Sequence, residues 1–337
     1  MSEAPRANTK LPRHAPGKME LQGGTGPITK MCPCGSFLEI YKQDKTFRVH
    51  TPESIDPDNT NPDAPWVVSP VADVGSSNPI VARVLLQSRE MLDLAMFEGD
   101  IDKVAVLSHL HSCKEMLLAC ERVSTRVASR IDEIIINITA HSVAKNNHGR
   151  GLNPFPQVHD LELDCGTFLV QVNRAIKLIC ELPSMFIQLN KIDTNFDHLA
   201  ERLSDALGET SSISTFVRGN AESVRSLIEL RNFHEHPKQI RTVIENFRVL
   251  PDGQIQTPTW YLKGQDVVKP RPIMEDMAAI VEFILGVTEC MFIHLLMHRI
   301  SNEFPFCIQE VSEEERNSAV PIRYKLSLDA TRMQETN

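Results

Sequence analysis

Residues 227–241 read LIELRNFHEHPKQIR, and the fold assignment turns on how this stretch ends. Leu227, Ile228 and Leu230 close an apolar period that opens near Ser212, which predicts a helix. Pro237 stops it, because proline has no N–H for the helical ladder and its ring clashes with the preceding turn. Between the last apolar position and the proline stand Arg231, Asn232, Phe233, His234, Glu235 and His236. Side chains four apart share a helix face, so Arg231 lies over Glu235 and Asn232 over His236, in adjacent polar rows on one rim.

Two readings of this rim are open. In one it is a solvated helix end closed by an Arg231–Glu235 ion pair. In the other it is a site, since a guanidinium suits a phosphate and an imidazole moves a proton near neutral pH. Together such groups support attack by a ribose 2′-OH on the adjacent phosphodiester without a metal.

Outward from this helix, the pattern stays helical. Helices are expected at 164–190, bent at Pro183, from Asp193 or Thr194 to Gly208, and from Ser212 to His236. After the rim, ENFRVLPDGQIQTPTWYL holds two β-like runs around Pro251-Asp252-Gly253, a hairpin over 245–262. Pro272 then opens a long closing helix. Its apolar run, Ile280 to Met297, is interrupted by Glu282, Glu289 and His294 and reads as a buried helix, not a membrane span. This gives a helical bundle over 151–305 and a tail over 306–337 whose one strand is PIRYKLSL.

Upstream, AKNNHGRGLNPFP (144–156) breaks the pattern. Before it, helices over 79–99 and 100–138 make an antiparallel hairpin within 79–150, with Asn78 as N-cap and Pro79 as first helical residue. Residues 31–78 give a β-like run at 37–49, a hairpin or single strand, followed by closely spaced prolines read as an extended wrap. Residues 1–30, rich in Pro, Gly, Thr and Lys, read as a flexible arm. The expectation is a mainly α protein with small hairpins at its edges and no central sheet of four or more strands.

An arginine, a polar residue next to it, and a histidine four to six positions beyond the arginine form the motif of the HEPN superfamily, which Arg231, Asn232 and His236 resemble at the end of a predicted helix. The run RNFHEHP…ENFRV…DGQIQTPTW also resembles an uncharacterised bacterial subgroup with a hairpin after the motif, over about residues 160–300. The resemblance implies a HEPN-like helical bundle that dimerises so that two motifs face each other across a cleft. It implies a metal-independent ribonuclease of defence, toxin or RNA-processing type, with RNA as partner, no cofactor, and room for a regulatory protein partner. Carried over by position, Arg231 holds the scissile phosphate, Asn232 orients it and His236 serves in proton transfer or phosphate binding. His234, at a spacer position, and the neighbouring Lys238 and Arg241 are assigned to substrate contact. The alternative is a non-catalytic HEPN-like protein that binds RNA or a nucleotide, or serves as a helical scaffold.

Composition sets the frame for these readings. A formal net charge of −9 over 337 residues excludes a protein that coats nucleic acid with its whole surface, so RNA contact must be focal. Around the motif, Arg225, Lys238, Arg241, Arg248, Lys263, Lys269 and Arg271 outnumber the acids at 229, 235, 245, 252 and 266, a local positive balance that a mixed-charge solvated surface explains equally well. Eight cysteines spread over the chain read as reduced thiols of a cytoplasmic protein, and the N-terminus has no apolar segment of signal or anchor type.

CPCGS at 32–36 resembles the opening of a short zinc-binding motif, but the next ligand candidate in sequence is His50 and two thiolates do not close a tetrahedral site. Its default reading is a Pro-Gly turn with free thiols. His109 with Cys113, and His294 with His298, have helical ligand spacing. Each reads first as a helix histidine in or near the core, so no metal is assigned. No Walker loop, dinucleotide fingerprint or nucleophile elbow occurs.

Overall fold

In the computed structural model, residues 20–141, 143, 151–264 and 269–329 are described. The expected arm up to residue 19, most of the break after residue 143, and the last eight residues of the tail lie outside them. From the N-terminus come β1 (Lys30–Cys34), β2 (Phe37–Tyr41), β3 (Thr46–His50), the short α1 (Pro52–Ile55), β4 (Val67–Ala72), α2 (Gln87–Leu94) and α3 (Lys103–His141). There follow α4 (Leu161–Glu181), α5 (Phe196–Leu207), α6 (Ser212–Glu235), β5 (Arg241–Glu245), β6 (Arg248–Val249), β7 (Ile255–Gln256), β8 (Thr259–Lys263) and β9 (Arg271–Pro272). Then α7 (Ile273–Arg299), β10 (Phe306–Glu310) and β11 (Tyr324–Leu328) close the chain.

Half of the chain is helical and 17% is strand in several small sheets, so the mainly α expectation is corrected to mixed α and β. The largest departure is a four-stranded antiparallel sheet in the order β1-β2-β3-β4, where the sequence offered one strand or hairpin. The reason is proline. Pro33 interrupts β1 and Pro70 interrupts β4, which argues against strands in a one-dimensional reading, yet both strands are sheet edges, where a missing N–H costs no ladder bond on the open side.

The chain divides into two units, residues 1–111 with 301–337, and residues 112–300. In the first, Ile40, Phe47 and Val49 form a core with Leu21, Leu38 and Val68 packed on it. Gly75 has no alternative: a Cβ there would lie 2.1 Å from the Lys42 carbonyl oxygen and 2.5 Å from the Lys45 amide nitrogen. Asn78 Oδ1 accepts from the Ile80 N–H at 2.8 Å, as expected of an N-cap. The helix that follows is wound as a buried π-helical segment over Val81–Leu86 before α2. The Gln87 side-chain oxygen accepts from the N–H groups of Arg323 and Tyr324, both at 2.7 Å, and so holds β11 to α2. Of PIRYKLSL, Tyr324–Leu328 form a strand, paired antiparallel to β10, which was not foreseen.

In the second unit, α6 packs on α4, α5 and α7. Its buried stripe, Ile213, Val217, Ala221, Val224, Leu227 and Leu230, steps by three or four residues, the helical period expected from the sequence. Asn195 caps α5 by accepting from the His198 N–H at 3.0 Å, and Gly208 ends it at φ 88°, a conformation that favours glycine. Regular α4 stops at Glu181, and a tighter 3-10 turn over Leu182–Met185, with Pro183 in its first positions, follows, so the bend expected within a helix to residue 190 is a terminus. α7 is long and apolar enough to cross a membrane by length and composition, but 56% of its apolar window is buried within the protein. The predicted hairpin carries a larger sheet, β5-β8-β9, below its small β6-β7 ladder. Trp260 of β8 is fully buried, its ring 6.1 Å from that of Phe168 of α4, and its indole N–H donates to Asp276 Oδ2 at 2.5 Å.

Candidate functional site

The rim at the end of α6 forms where its buried stripe runs out. Beyond Leu230 the chain makes one more turn, and His236, with φ −128° and ψ 63°, leaves the helix while its N–H still donates to the Asn232 carbonyl at 2.8 Å. Pro237 prevents another turn. The chain returns as β5, and the Thr242 hydroxyl donates to the Leu230 carbonyl at 2.7 Å, which ties the start of β5 to the last turns of α6.

Arg231, Asn232 and Glu235 are brought together on this rim. The Arg231 side chain is a quarter exposed; it forms an ion pair with Glu235, and its Nη1 donates to Asn232 Oδ1 at 3.0 Å. Its Nε is buried and has no hydrogen-bond partner among the described residues. His236, Lys238 and Arg241 are exposed, with Lys238 N–H donating to the Ile240 carbonyl at 3.2 Å and Arg241 opposite Lys263 at the start of β5.

His234 sits differently. It is half-buried, and its ring lies over Gly166 of α4 so closely that a Cβ at Gly166 would stand 2.6 Å from Nε2. His234 thus fills a notch that the absence of a side chain creates. Gly166 was not singled out from sequence; a lone glycine inside an apolar helical period was the available signal.

A second group of chemically active side chains lies on the four-stranded sheet. Cys32 and Cys34 are two apart on β1 and so share a face, and Cys32 is paired across the ladder with Glu39, which is paired in turn with Arg48. His111 of α3 meets this face. Its Nε2 is 2.9 Å from Glu39 Oε1, and its ring stands edge-on to that of Phe37 at 5.5 Å. Arg48 Nη2 also donates to Oε1 at 2.9 Å, and the Tyr41 hydroxyl donates to Oε2. One donor atom each from Cys34, Glu39 and His111 lies within 4.8 Å of the others, and the Cys32 and Cys34 sulfurs are 3.9 Å apart.

The electrostatics of this face differ from those of the helical core. The hydrogen bond from Cys34, helped by the Arg89 charge, holds the Cys32 thiol below its ordinary pKa against the effect of burial. Burial, reinforced by the Glu39 charge, pushes the Tyr41 hydroxyl well above its ordinary value. Burial alone dominates at Cys113, Cys120 and Cys180, whose thiols are pushed up to about 12.

His50, the ligand candidate nearest in sequence to the two thiols, is not in the group; Glu39 and His111 are. Sequence reasoning missed them because Glu39 reaches the thiols only once β1 is a strand, and His111 is more than seventy residues further on. The other spacings join no group of three ligand residues among the described residues. Cys113 is buried, and the His294 Nδ1 is 2.7 Å from the Ser212 hydroxyl, with its ring 4.8 Å from that of Phe216 and its pKa lowered by burial. Compared with protein-family models, curated proteins and solved structures, the chain matches none.

Proposed function

We propose that the unit 112–300 binds RNA at the end of α6 and cleaves it without a metal, in the manner of a HEPN-like ribonuclease acting as a homodimer. The observation that carries this reading is the state of Arg231. Among the described residues its guanidinium is held by groups of its own helix turn and its buried Nε has no partner, beside exposed His236, Lys238 and Arg241. A phosphate that takes the place of Glu235 gives the guanidinium a bidentate acceptor of higher charge. The 2′-oxygen then bonds to phosphorus while the bond to the 5′-oxygen breaks. One His236 accepts the 2′-OH proton, and the His236 of a second copy protonates the leaving oxygen. Lys238 and Arg241 guide the backbone by charge.

A second reading, RNA or nucleotide binding without cleavage, is favoured by the Arg231–Glu235 pair itself, which neutralises the arginine when no ligand is bound. Labelled single-stranded RNA incubated with the full chain in excess chelator separates the two. The cleavage reading expects 2′,3′-cyclic phosphate ends, lost in Arg231→Ala and in His236→Ala while circular dichroism is unchanged. Binding without any product in chelator, weakened by Arg231→Ala, supports the second reading. Unchanged binding and cleavage in both variants removes the site from the rim.

A further inference from the structure

We propose that Cys32, Cys34, Glu39 and His111 form a zinc site that fastens the four-stranded sheet to the start of α3. The site goes beyond the α6 rim and is independent of it. Its residues come from three elements, β1, β2 and α3, that are brought together only by the fold, and all four are buried, Cys32 and Glu39 completely. Two thiolates, an imidazole and a carboxylate are a donor set that zinc accepts, with sulfur selecting it over magnesium or calcium.

The spacing fits. Tetrahedral zinc with bonds of about 2.3 Å to sulfur places two sulfurs about 3.8 Å apart, against 3.9 Å between Cys32 and Cys34. The donor atoms of Cys34, Glu39 and His111 are mutually within 4.8 Å, and His111 Nε2 and Glu39 Oε1 at 2.9 Å need to part by only about half an ångström to become neighbouring ligands. The surroundings supply the orienting contacts that metal ligands ordinarily have: Arg48 and Tyr41 donate to the Glu39 carboxylate, and Phe37 stacks edge-on against the His111 ring. Charge also closes, since a divalent ion balances two thiolates and Arg48 balances Glu39. Gly35, at φ 63°, makes the tight turn that returns β2 beside β1 and so puts Glu39 opposite Cys32.

The test uses the full chain, reduced, stripped with chelator and titrated with Zn2+ and separately with Co2+. One equivalent of either ion is expected, and cobalt should give a near-ultraviolet thiolate-to-metal charge-transfer band together with visible bands of a tetrahedral complex. Cys34→Ser should abolish or at least halve the charge-transfer band, His111→Ala should weaken Zn2+ binding by ~100-fold or more, and Cys307→Ser should change neither. If the cysteine variants do not fold, the wild-type cobalt spectrum and His111→Ala decide. A wild-type chain with no stoichiometric Zn2+ binding, a Cys32–Cys34 disulfide that persists under reductant, or a folded Cys34→Ser variant with the full cobalt spectrum overturns the proposal.

Discussion

Replacing Gly166 by alanine tests how α4 positions the α6 rim. In a helix interior alanine is favoured over glycine by ~1 kcal/mol, so the substitution should stabilise the protein if the site were open. It is not open, because the new Cβ would stand 2.6 Å from His234 Nε2, well inside contact distance. The ring must swing away, at about 0.5–1.5 kcal/mol for an off-rotamer side chain plus part of its packing on α4. The net change should be near zero or a loss of up to ~1 kcal/mol. With His234→Ala already in place, Gly166→Ala should gain about 1 kcal/mol, so the two substitutions should couple by roughly 1–2 kcal/mol. Urea unfolding followed by tryptophan fluorescence can measure this. Of the two tryptophans, Trp66 is exposed in the first unit and Trp260 is buried in the second, so a Trp66→Phe background leaves a reporter of the relevant unit. Additivity within about 0.3 kcal/mol would refute the notch-and-ring account.

Glu235→Gln should release Arg231 and raise RNA affinity by about two- to five-fold, the worth of a partly exposed ion pair, as read by fluorescence anisotropy; a weaker complex would count against phosphate replacing Glu235. Asp164 is buried and accepts from Arg126 at 2.5 Å and Arg130 at 2.9 Å, so Asp164→Asn should cost on the order of 2 kcal/mol in urea unfolding of the Trp66→Phe protein, a figure kept low because both arginines are almost half exposed. Burial lowers the His294 pKa, so the unfolded chain binds more protons there; this contribution is fully present above about pH 6.5 and lost as pH falls, with a slope of at most ~1.4 kcal/mol per pH unit. His294→Gln should flatten the fall of the unfolding midpoint between pH 7 and 5, and an unchanged slope would remove His294 as its source. Alkylation of the native reduced chain, read by mass spectrometry, should spare Cys113, Cys120, Cys165 and Cys180, which are buried with raised pKa values, and reach half-exposed Cys307 first.

Legibility of the fold followed the range of the interactions that make each element. α5 and α6 could be read to within a few residues because their apolar stripes and their stops at Gly208 and Pro237 are all local in sequence. The strands were hidden for the opposite reason. β1 and β4 each contain a proline that a local reading counts against a strand, and only the knowledge that they are edges removes the objection. β10 has no alternation strong enough to stand alone and exists through its pairing with β11, which is in turn held by Gln87, more than two hundred residues away. A residue can thus be read correctly as β-like, as at 37–49, while the sheet it belongs to stays out of sight.

The same division separates the two sites. Arg231 and Glu235 are one helical turn apart, so both their juxtaposition and the competing ion pair follow from spacing alone, and the structure shows that pair formed. What spacing could not show is that His234 fills the notch at Gly166, since that needs the packing of α4 against α6. On the sheet, CPCGS supplied two donors and ended there, because strand pairing supplies the third and a helix from further along the chain the fourth. A motif with two ligands is therefore incomplete only along the chain: a strand face sets two neighbouring same-face residues, and the residue opposite one of them, close enough to approach one ion.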